Sequence, residues 1–219
     1  MKELCPQSII DTLHTSGVVA VVVFDDLKTV RPTMQALSNG GITAIELALR
    51  TPVSLNAIRI VAKEFPHILI GAGTVIRPEQ VKQAQEAGAH FAVAPGLNRK
   101  VMDEALKQNF PFAPGITTAS DIETALEYEC TFLKFFPAEK IGGLAYLNAT
   151  NGPYKYLGIT YLPLGGLTSE NAKSYLASDI INCIGGSWIA RSDLINTGAF
   201  DVIEKNAREA MNTLKEVRK

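Results

Sequence analysis

Ala44-Ile45-Glu46-Leu47-Ala48-Leu49-Arg50 alternates with a period of two. Side chains along a strand point alternately to opposite faces. Ile45, Leu47 and Leu49 therefore make one wholly apolar face, and Ala44, Glu46, Ala48 and Arg50 make the other. The apolar face seeks a covering layer of helices. The face of small and charged residues must then look into a space lined by other strands. A second stretch, Phe132-Leu133-Lys134-Phe135-Phe136-Pro137, repeats the arrangement: Phe132, Lys134 and Phe136 share a face, which sets a lysine between two phenylalanines.

These two stretches belong to a series of short β-branched or apolar runs at 18–24, 44–50, 69–74, 91–95, 111–116, 132–137, 160–166 and 181–188, whose starts lie 20 to 28 residues apart. Most intervals between them carry a helical pattern; Leu55, Ile58, Val61 and Ala62 fall on one helical face, as do Val81, Ala84 and Ala87. Arg77-Pro78-Glu79-Gln80 and Thr118-Ala119-Ser120-Asp121 read as helix starts, and Gly40-Gly41 and Gly88 as helix ends. Strand and helix alternating at this spacing require a parallel sheet, because each crossover returns the chain to the same edge. Eight such units predict an α/β fold, a (β/α)8 TIM barrel with parallel strands, forming a single domain over residues 1–219. Residues 7–16 read as an extra N-terminal helix and 200–217 as a closing amphipathic one. An open doubly wound sheet is the alternative. It would carry a glycine-rich nucleotide turn after its first strand, where this chain has Phe24-Asp25-Asp26-Leu27.

The 219 residues carry 21 Lys+Arg against 22 Asp+Glu, a net charge of −1, which argues against nucleic acid as the main partner. With 47% hydrophobic and 20% charged residues the composition is that of a packed domain and excludes a disordered chain. The longest bare apolar stretch, 18–24, is far short of the ~20 residues of a membrane helix. Met1-Lys2-Glu3-Leu4-Cys5-Pro6 shows no leader pattern. Cys5, Cys130 and Cys183 are odd in number and widely spaced, so free thiols in a reducing cytoplasm are expected. His14, His67 and His90 have no metal-ligand spacing; neither a metal nor a cofactor is expected.

A lysine pointing into a barrel needs a reason, since a lone buried charge shifts its pKa or finds a partner. One reading is a structural Lys134–Glu46 ion pair. The sharper one is a reactive amine: desolvation, and a nearby Arg50, disfavour the ammonium form and leave a nitrogen able to attack a carbonyl, with Glu46 moving the protons. Arg50, at the end of its strand, presents a planar fork suited to a carboxylate, or else an exposed salt bridge. Thr74 and Pro95 end the third and fourth runs after Gly71-Ala72-Gly73 and within Ala94-Pro95-Gly96, where glycines let a ligand approach the backbone; turn chemistry alone also accounts for both. Leu164-Gly165-Gly166 and Gly185-Gly186-Ser187 end the last two runs, where barrels frequently bind phosphate through backbone N–H groups. The implied ligand is a keto acid with phosphate at one end and carboxylate at the other.

The stretches Glu46-Leu47-Ala48-Leu49-Arg50-Thr51, Gly71-Ala72-Gly73-Thr74, Ala94-Pro95-Gly96, Pro114-Gly115-Ile116, Leu133-Lys134-Phe135-Phe136-Pro137-Ala138-Glu139, Pro163-Leu164-Gly165-Gly166 and Gly185-Gly186-Ser187-Trp188 resemble, in order, the 2-keto-3-deoxy-6-phosphogluconate and 2-keto-4-hydroxyglutarate aldolases. The resemblance implies a class I aldolase on a (β/α)8 barrel, commonly a cytoplasmic homotrimer, that cleaves 2-keto-3-deoxy-6-phosphogluconate to pyruvate and glyceraldehyde 3-phosphate, and 4-hydroxy-2-oxoglutarate to pyruvate and glyoxylate. It implies that Lys134 forms the imine and Glu46 is the general acid/base, acting through water. It further implies that Arg50 and Thr74 hold the carboxylate, Pro95 and Phe136 wall the pyruvate pocket, and Gly165, Gly166, Gly186 and Ser187 take the phosphate. Leu164 stands where the family usually has Thr, which removes a hydroxyl near the substrate and implies looser choice between the gluconate and galactonate epimers. Ala20 and Ala48 replace a common Pro and Thr. An isomerase barrel would share the glycine turns without a buried lysine. A non-catalytic sugar-acid-binding barrel is the third reading, against which the intact Glu46, Arg50 and Lys134 count.

Overall fold

The computed structural model describes residues 3–218; Met1 and Lys2 of the opening stretch, and Lys219 of the span expected to form one domain, lie outside the described residues. Strands β1 (Val18–Val22), β2 (Ala44–Ala48), β3 (Leu69–Gly73), β4 (Phe91–Val93), β5 (Phe112–Ala113), β6 (Gly115–Ile116), β7 (Phe132–Phe135), β8 (Thr160–Pro163) and β9 (Ile184–Gly186) pair in parallel throughout. Between and after them come α2 (Val30–Asn39), α3 (Ser54–Glu64), α4 (Pro78–Ala87), α5 (Arg99–Gln108), α6 (Ala119–Leu126), α7 (Gly143–Asn151), α8 (Ser169–Leu176), α9 (Ser192–Thr197) and α10 (Phe200–Val217). The leading helix α1 is Gln7–Ser16, as expected for 7–16. No helix among the described residues is long and apolar enough to cross a membrane.

The expected α/β arrangement of parallel strands is present, and among the described residues the strands pair as two sheets. The strands make a six-stranded sheet in the order β5-β4-β3-β2-β1-β9 and a three-stranded sheet in the order β6-β7-β8. The fifth run breaks at Pro114, which has no N–H to give to a ladder. Before it, Ala113 pairs with Val93; after it, Gly115 pairs with Lys134. The chain thus changes sheets at one proline. The eighth run also divides its pairing between two neighbours. Ile181 makes an isolated parallel bridge to Tyr161 of β8, and Asn182 N–H donates to the Tyr161 carbonyl at 3.0 Å. Ile184 N–H then goes to Gly17 O at 2.9 Å, and the chain continues on β1.

The helices bury one stripe each against the strands' apolar faces. In α3 the stripe is Ser54, Ala57, Ile58 and Val61, and in α10 it is Ile203, Ala207, Ala210 and Leu214. Thr118 caps α6: its hydroxyl accepts from Asp121 N–H at 3.3 Å, while Asp121 Oδ2 accepts from the N–H groups of Thr117 (2.9 Å) and Thr118 (2.8 Å). The three cysteines are free and buried. Burial pushes the Cys130 thiol up to about 12. Because all strands run the same way, the residues that end them converge on one end of the molecule.

Candidate active site

The two strands singled out for their charged faces meet across the interior. Lys134 Nζ lies 2.9 Å from Glu46 Oε1 and 3.1 Å from Oε2. Lys134 is 3% exposed and Glu46 1%, so water is largely excluded from both. Glu46 stands on β2 in the larger sheet and Lys134 on β7 in the smaller one. Glu46 and Lys134 thus form the interior ion pair that was one of the two readings of these residues. An interior pair of this kind contributes little net stability, because desolvation of two ions offsets their attraction, yet losing one partner strands a charge.

The neighbours of this pair are small where it needs room. A Cβ built on Gly73 would lie 2.2 Å from Glu46 Oε1, so only glycine at this place on β3 leaves the carboxylate its position. By sequence, Gly71 and Gly73 read as places where a ligand approaches the backbone. In the structure they make space for protein side chains, Gly71 for the Phe91 ring and Gly73 for Glu46. The available signal was a pair of glycines two apart on the strand beside an inward carboxylate. The Phe136 ring lies with its centroid 5.6 Å from Lys134 Nζ and forms an aromatic wall. Its backbone is held by Ile116, whose carbonyl accepts from Phe136 N–H at 3.3 Å, and by Thr117, whose hydroxyl donates to Phe136 O at 3.1 Å. Tyr146 hydroxyl donates to Thr117 O at 3.0 Å, a support that the sequence did not single out.

Arg50 and Thr74 form a second pair one residue past the Glu46 cradle. Arg50 Nε donates to Thr74 Oγ1 at 3.0 Å. Arg50 is exposed at the rim and Thr74 half-buried. The end of β2 is pinned behind them, Ser54 Oγ donating to Ala48 O at 3.0 Å and Thr51 Oγ1 to Phe24 O at 2.6 Å. Thr74 has φ 59°, in the left-handed region that a β-branched residue rarely occupies. Such strain persists where surrounding structure fixes it, typically at ligand sites. Pro95 is half-buried and packs against β6: its carbonyl carbon lies 2.3 Å from the Cβ position of Gly115, the register partner of Lys134.

The double-glycine segments adjoin the same region. Gly165 and Gly166 follow β8 with φ 94° and 89°, and the Gly165 Cβ position lies 3.1 Å from Phe136 Cε2. Leu164 fills the place beside Gly185, its Cγ 2.3 Å from where a Cβ would be. Gly186 gives room to the Trp188 ring, and Ser187 is exposed. Lys134, Glu46, Phe136, Gly165 and Pro95 are thus joined through successive contacts, and Gly186 and Ser187 reach them through Leu164 and Gly185. The histidines hold unrelated contacts: His67 Nε2 pairs with Ser38 Oγ at 2.9 Å, His90 Nδ1 accepts from Ile70 N–H at 3.0 Å, and His14 sits in the last turn of α1.

A family model described as KDPG and KHG aldolase matches residues 9–206. The KHG/KDPG aldolase of Escherichia coli (strain K12) is 40% identical over 203 residues, covering 93% of this chain and 94% of that protein. The KDPG aldolase of Legionella pneumophila, solved with pyruvate captured at low pH as a covalent carbinolamine intermediate, superposes with a TM-score of 0.87 at 34% identity, over 92% of this chain and 97% of the other. The 2-keto-3-deoxy-6-phosphogluconate aldolase of Zymomonas mobilis ZM4, solved with 3-phosphoglycerate, gives 0.84 at 36% identity, over 92% and 94%.

Proposed function

The chain belongs to the KDPG and KHG aldolase family, and from that premise we propose that Lys134 is its imine-forming amine and Glu46 its proton carrier. The enzyme is a carbon–carbon lyase that cleaves 2-keto-3-deoxy-6-phosphogluconate to pyruvate and glyceraldehyde 3-phosphate. The observation that carries the residue assignment is the buried Lys134 Nζ–Glu46 contact of 2.9 Å between the two sheets.

In this reading Glu46 accepts a proton from the Lys134 ammonium, and the freed nitrogen attacks the C2 carbonyl of the keto acid. Glu46 gives that proton to the new alkoxide, then carries a second from the nitrogen to the same oxygen, which leaves as water, and a protonated imine remains. Glu46, again a carboxylate, takes the proton of the C4 hydroxyl and later supplies it to C3. The C3–C4 bond then breaks, its electron pair moves into the iminium to give an enamine, and the aldehyde departs. The enamine takes a proton at C3, and water hydrolyses the imine to pyruvate. One carboxylate in contact with the amine suffices for each proton transfer at nitrogen and at the carbinolamine oxygen.

Around this centre, Arg50 and Thr74 hold the substrate carboxylate, and Phe136 and Pro95 wall the three-carbon end. Gly165, Gly166, Gly186 and Ser187 receive the phosphate. The two sheets close at the Pro114 and Tyr161–Ile181 seams into one (β/α)8 barrel domain, and the functional particle is a cytoplasmic homotrimer. Cleavage of 4-hydroxy-2-oxoglutarate to pyruvate and glyoxylate uses the same lysine. Leu164, packed over Gly185, offers no hydroxyl to the substrate. Turnover of the gluconate and galactonate epimers is therefore expected to differ by less than about tenfold, and a gluconate preference above ~10² in kcat/KM rejects that point.

Incubation with pyruvate, reduction with borohydride and peptide mass mapping test the central assignment. An adduct on Lys134 is expected, and none after Lys134→Ala. An adduct elsewhere, or none in the intact protein, overturns it.

A further inference from the structure

Glu139 and Tyr175 lie behind the double-glycine turn and have no part in the lysine chemistry. Glu139 follows the Lys134 strand by a few residues and touches the turn at several atoms. Its N–H donates to Gly165 O at 3.0 Å, and Ala138 N–H donates to Leu164 O at 2.7 Å. Its Cβ lies 2.7 Å from where a Cβ on Gly166 would be. Its carboxylate accepts a hydrogen bond from the hydroxyl of Tyr175. Tyr175 is 1% exposed and sits on α8, the helix that leaves the turn. The same helix sends Asn171 Nδ2 to Gly166 O at 3.3 Å, and Asn171 Oδ1 accepts Thr168 N–H at 2.8 Å. Gly143, the first residue of α7, is shaped around the pair: a Cβ there would lie 2.9 Å from Glu139 Oε1 and 3.2 Å from the Tyr175 hydroxyl.

Two consecutive glycines at positive φ have many conformations open to them, so a turn made of them presents fixed N–H groups only if something outside it holds it. Here the hold comes from the chain that bears Lys134 on one side and from α8 on the other, and the Glu139–Tyr175 bond joins the two. Burial raises the Tyr175 hydroxyl above the usual phenol range, with its Glu139 partner adding to the effect, so it remains a donor. We propose that Glu139 and Tyr175 are positioning residues that preform the Gly165–Gly166 turn for a phosphate terminus and thereby set the preference for phosphorylated over unphosphorylated keto acids. The proposal rests on the assignment of that turn to phosphate. Neither residue touches the reacting atoms.

The test compares kinetics on 2-keto-3-deoxy-6-phosphogluconate and on its unphosphorylated counterpart for the intact enzyme, Tyr175→Phe, Glu139→Gln and Glu139→Ala, with pyruvate–borohydride trapping on Lys134 as a control of the site. Tyr175→Phe and Glu139→Ala are expected to raise KM for the phosphorylated substrate about tenfold, the scale of one charge-assisted hydrogen bond. Their kcat stays within about twofold, and trapping and the unphosphorylated substrate are unaffected. Glu139→Gln keeps an acceptor for the tyrosine and is expected to recover most of the loss. Equal losses on both substrates in both Tyr175→Phe and Glu139→Ala, or no loss on either, overturn the proposal. If the intact enzyme does not distinguish the two substrates and inorganic phosphate does not compete, the phosphate assignment falls and the proposal with it, before any variant is made.

Discussion

At the scale of single residues, the interior ion pair is better explained by chemistry than by stability. Replacing a buried pair with apolar residues is often neutral or stabilising, whereas removing one partner costs about 3–5 kcal/mol. Lys134→Ala therefore both deletes the amine and strands Glu46, and a folded but weakened protein is consistent with the assignment. Gly73 gives a cleaner probe, because it changes no ionisable group. Gly73→Ala would place a methyl 2.2 Å from Glu46 Oε1 and force the carboxylate off the amine. The expected result is a fall in kcat of about 10²-fold, the scale of an ångström misplacement. Stopped-flow release of pyruvate checks it, and near-normal turnover would show that Glu46 need not hold this position.

Elements show where sequence pattern stops carrying information. Alternation on β2 and β7 located Glu46 and Lys134 on inward faces, because a period of two depends only on the strand itself. It could not reveal that Pro114 divides the fifth run, since that depends on which neighbour each half pairs with. Arg50, Thr74 and Phe136 were legible as strand-end residues. Gly73, Thr117, Tyr146 and Tyr175 were not, because their roles arise from contacts between segments far apart in the chain. The α6 start was legible locally, as Thr118 followed by Asp121, and the structure adds that Asp121 also gathers the N–H of Thr117, the residue whose hydroxyl steadies Phe136. Asp121→Ala is expected to lower stability by about 1–2 kcal/mol in urea unfolding, the worth of a cap with an added backbone contact. Loss below ~0.3 kcal/mol would mean that water replaces the carboxylate.

For the whole molecule, the chain ends are sewn to the strand bottoms. Arg218, just past α10, donates from Nη1 to His14 O at 3.0 Å and from Nη2 to Ile181 O at 2.9 Å. Asn182 Nδ2 adds a bond to Ile10 O at 3.3 Å. One guanidinium therefore ties the closing helix to the leading helix and to the seam where the chain passes from β8 to β9. Arg218→Ala is expected to cost about 1–3 kcal/mol, as for hydrogen bonds to a charged group, with kcat unchanged because the carbonyls it holds belong to His14 and Ile181 and not to the strands that carry Glu46 and Lys134. Denaturant midpoints and turnover measured together check this, and a loss of kcat without loss of stability would contradict it.

Glu46 and Lys134 come from different sheets. Their contact is thus also a clasp across the gap between the two halves of the wall. On the proposed assignment, conversion of the ammonium to an iminium removes two of its three hydrogens and leaves the clasp a single N–H donor. On that assignment a molecule arrested in mid-cycle is braced across the two sheets by fewer bonds than one at rest.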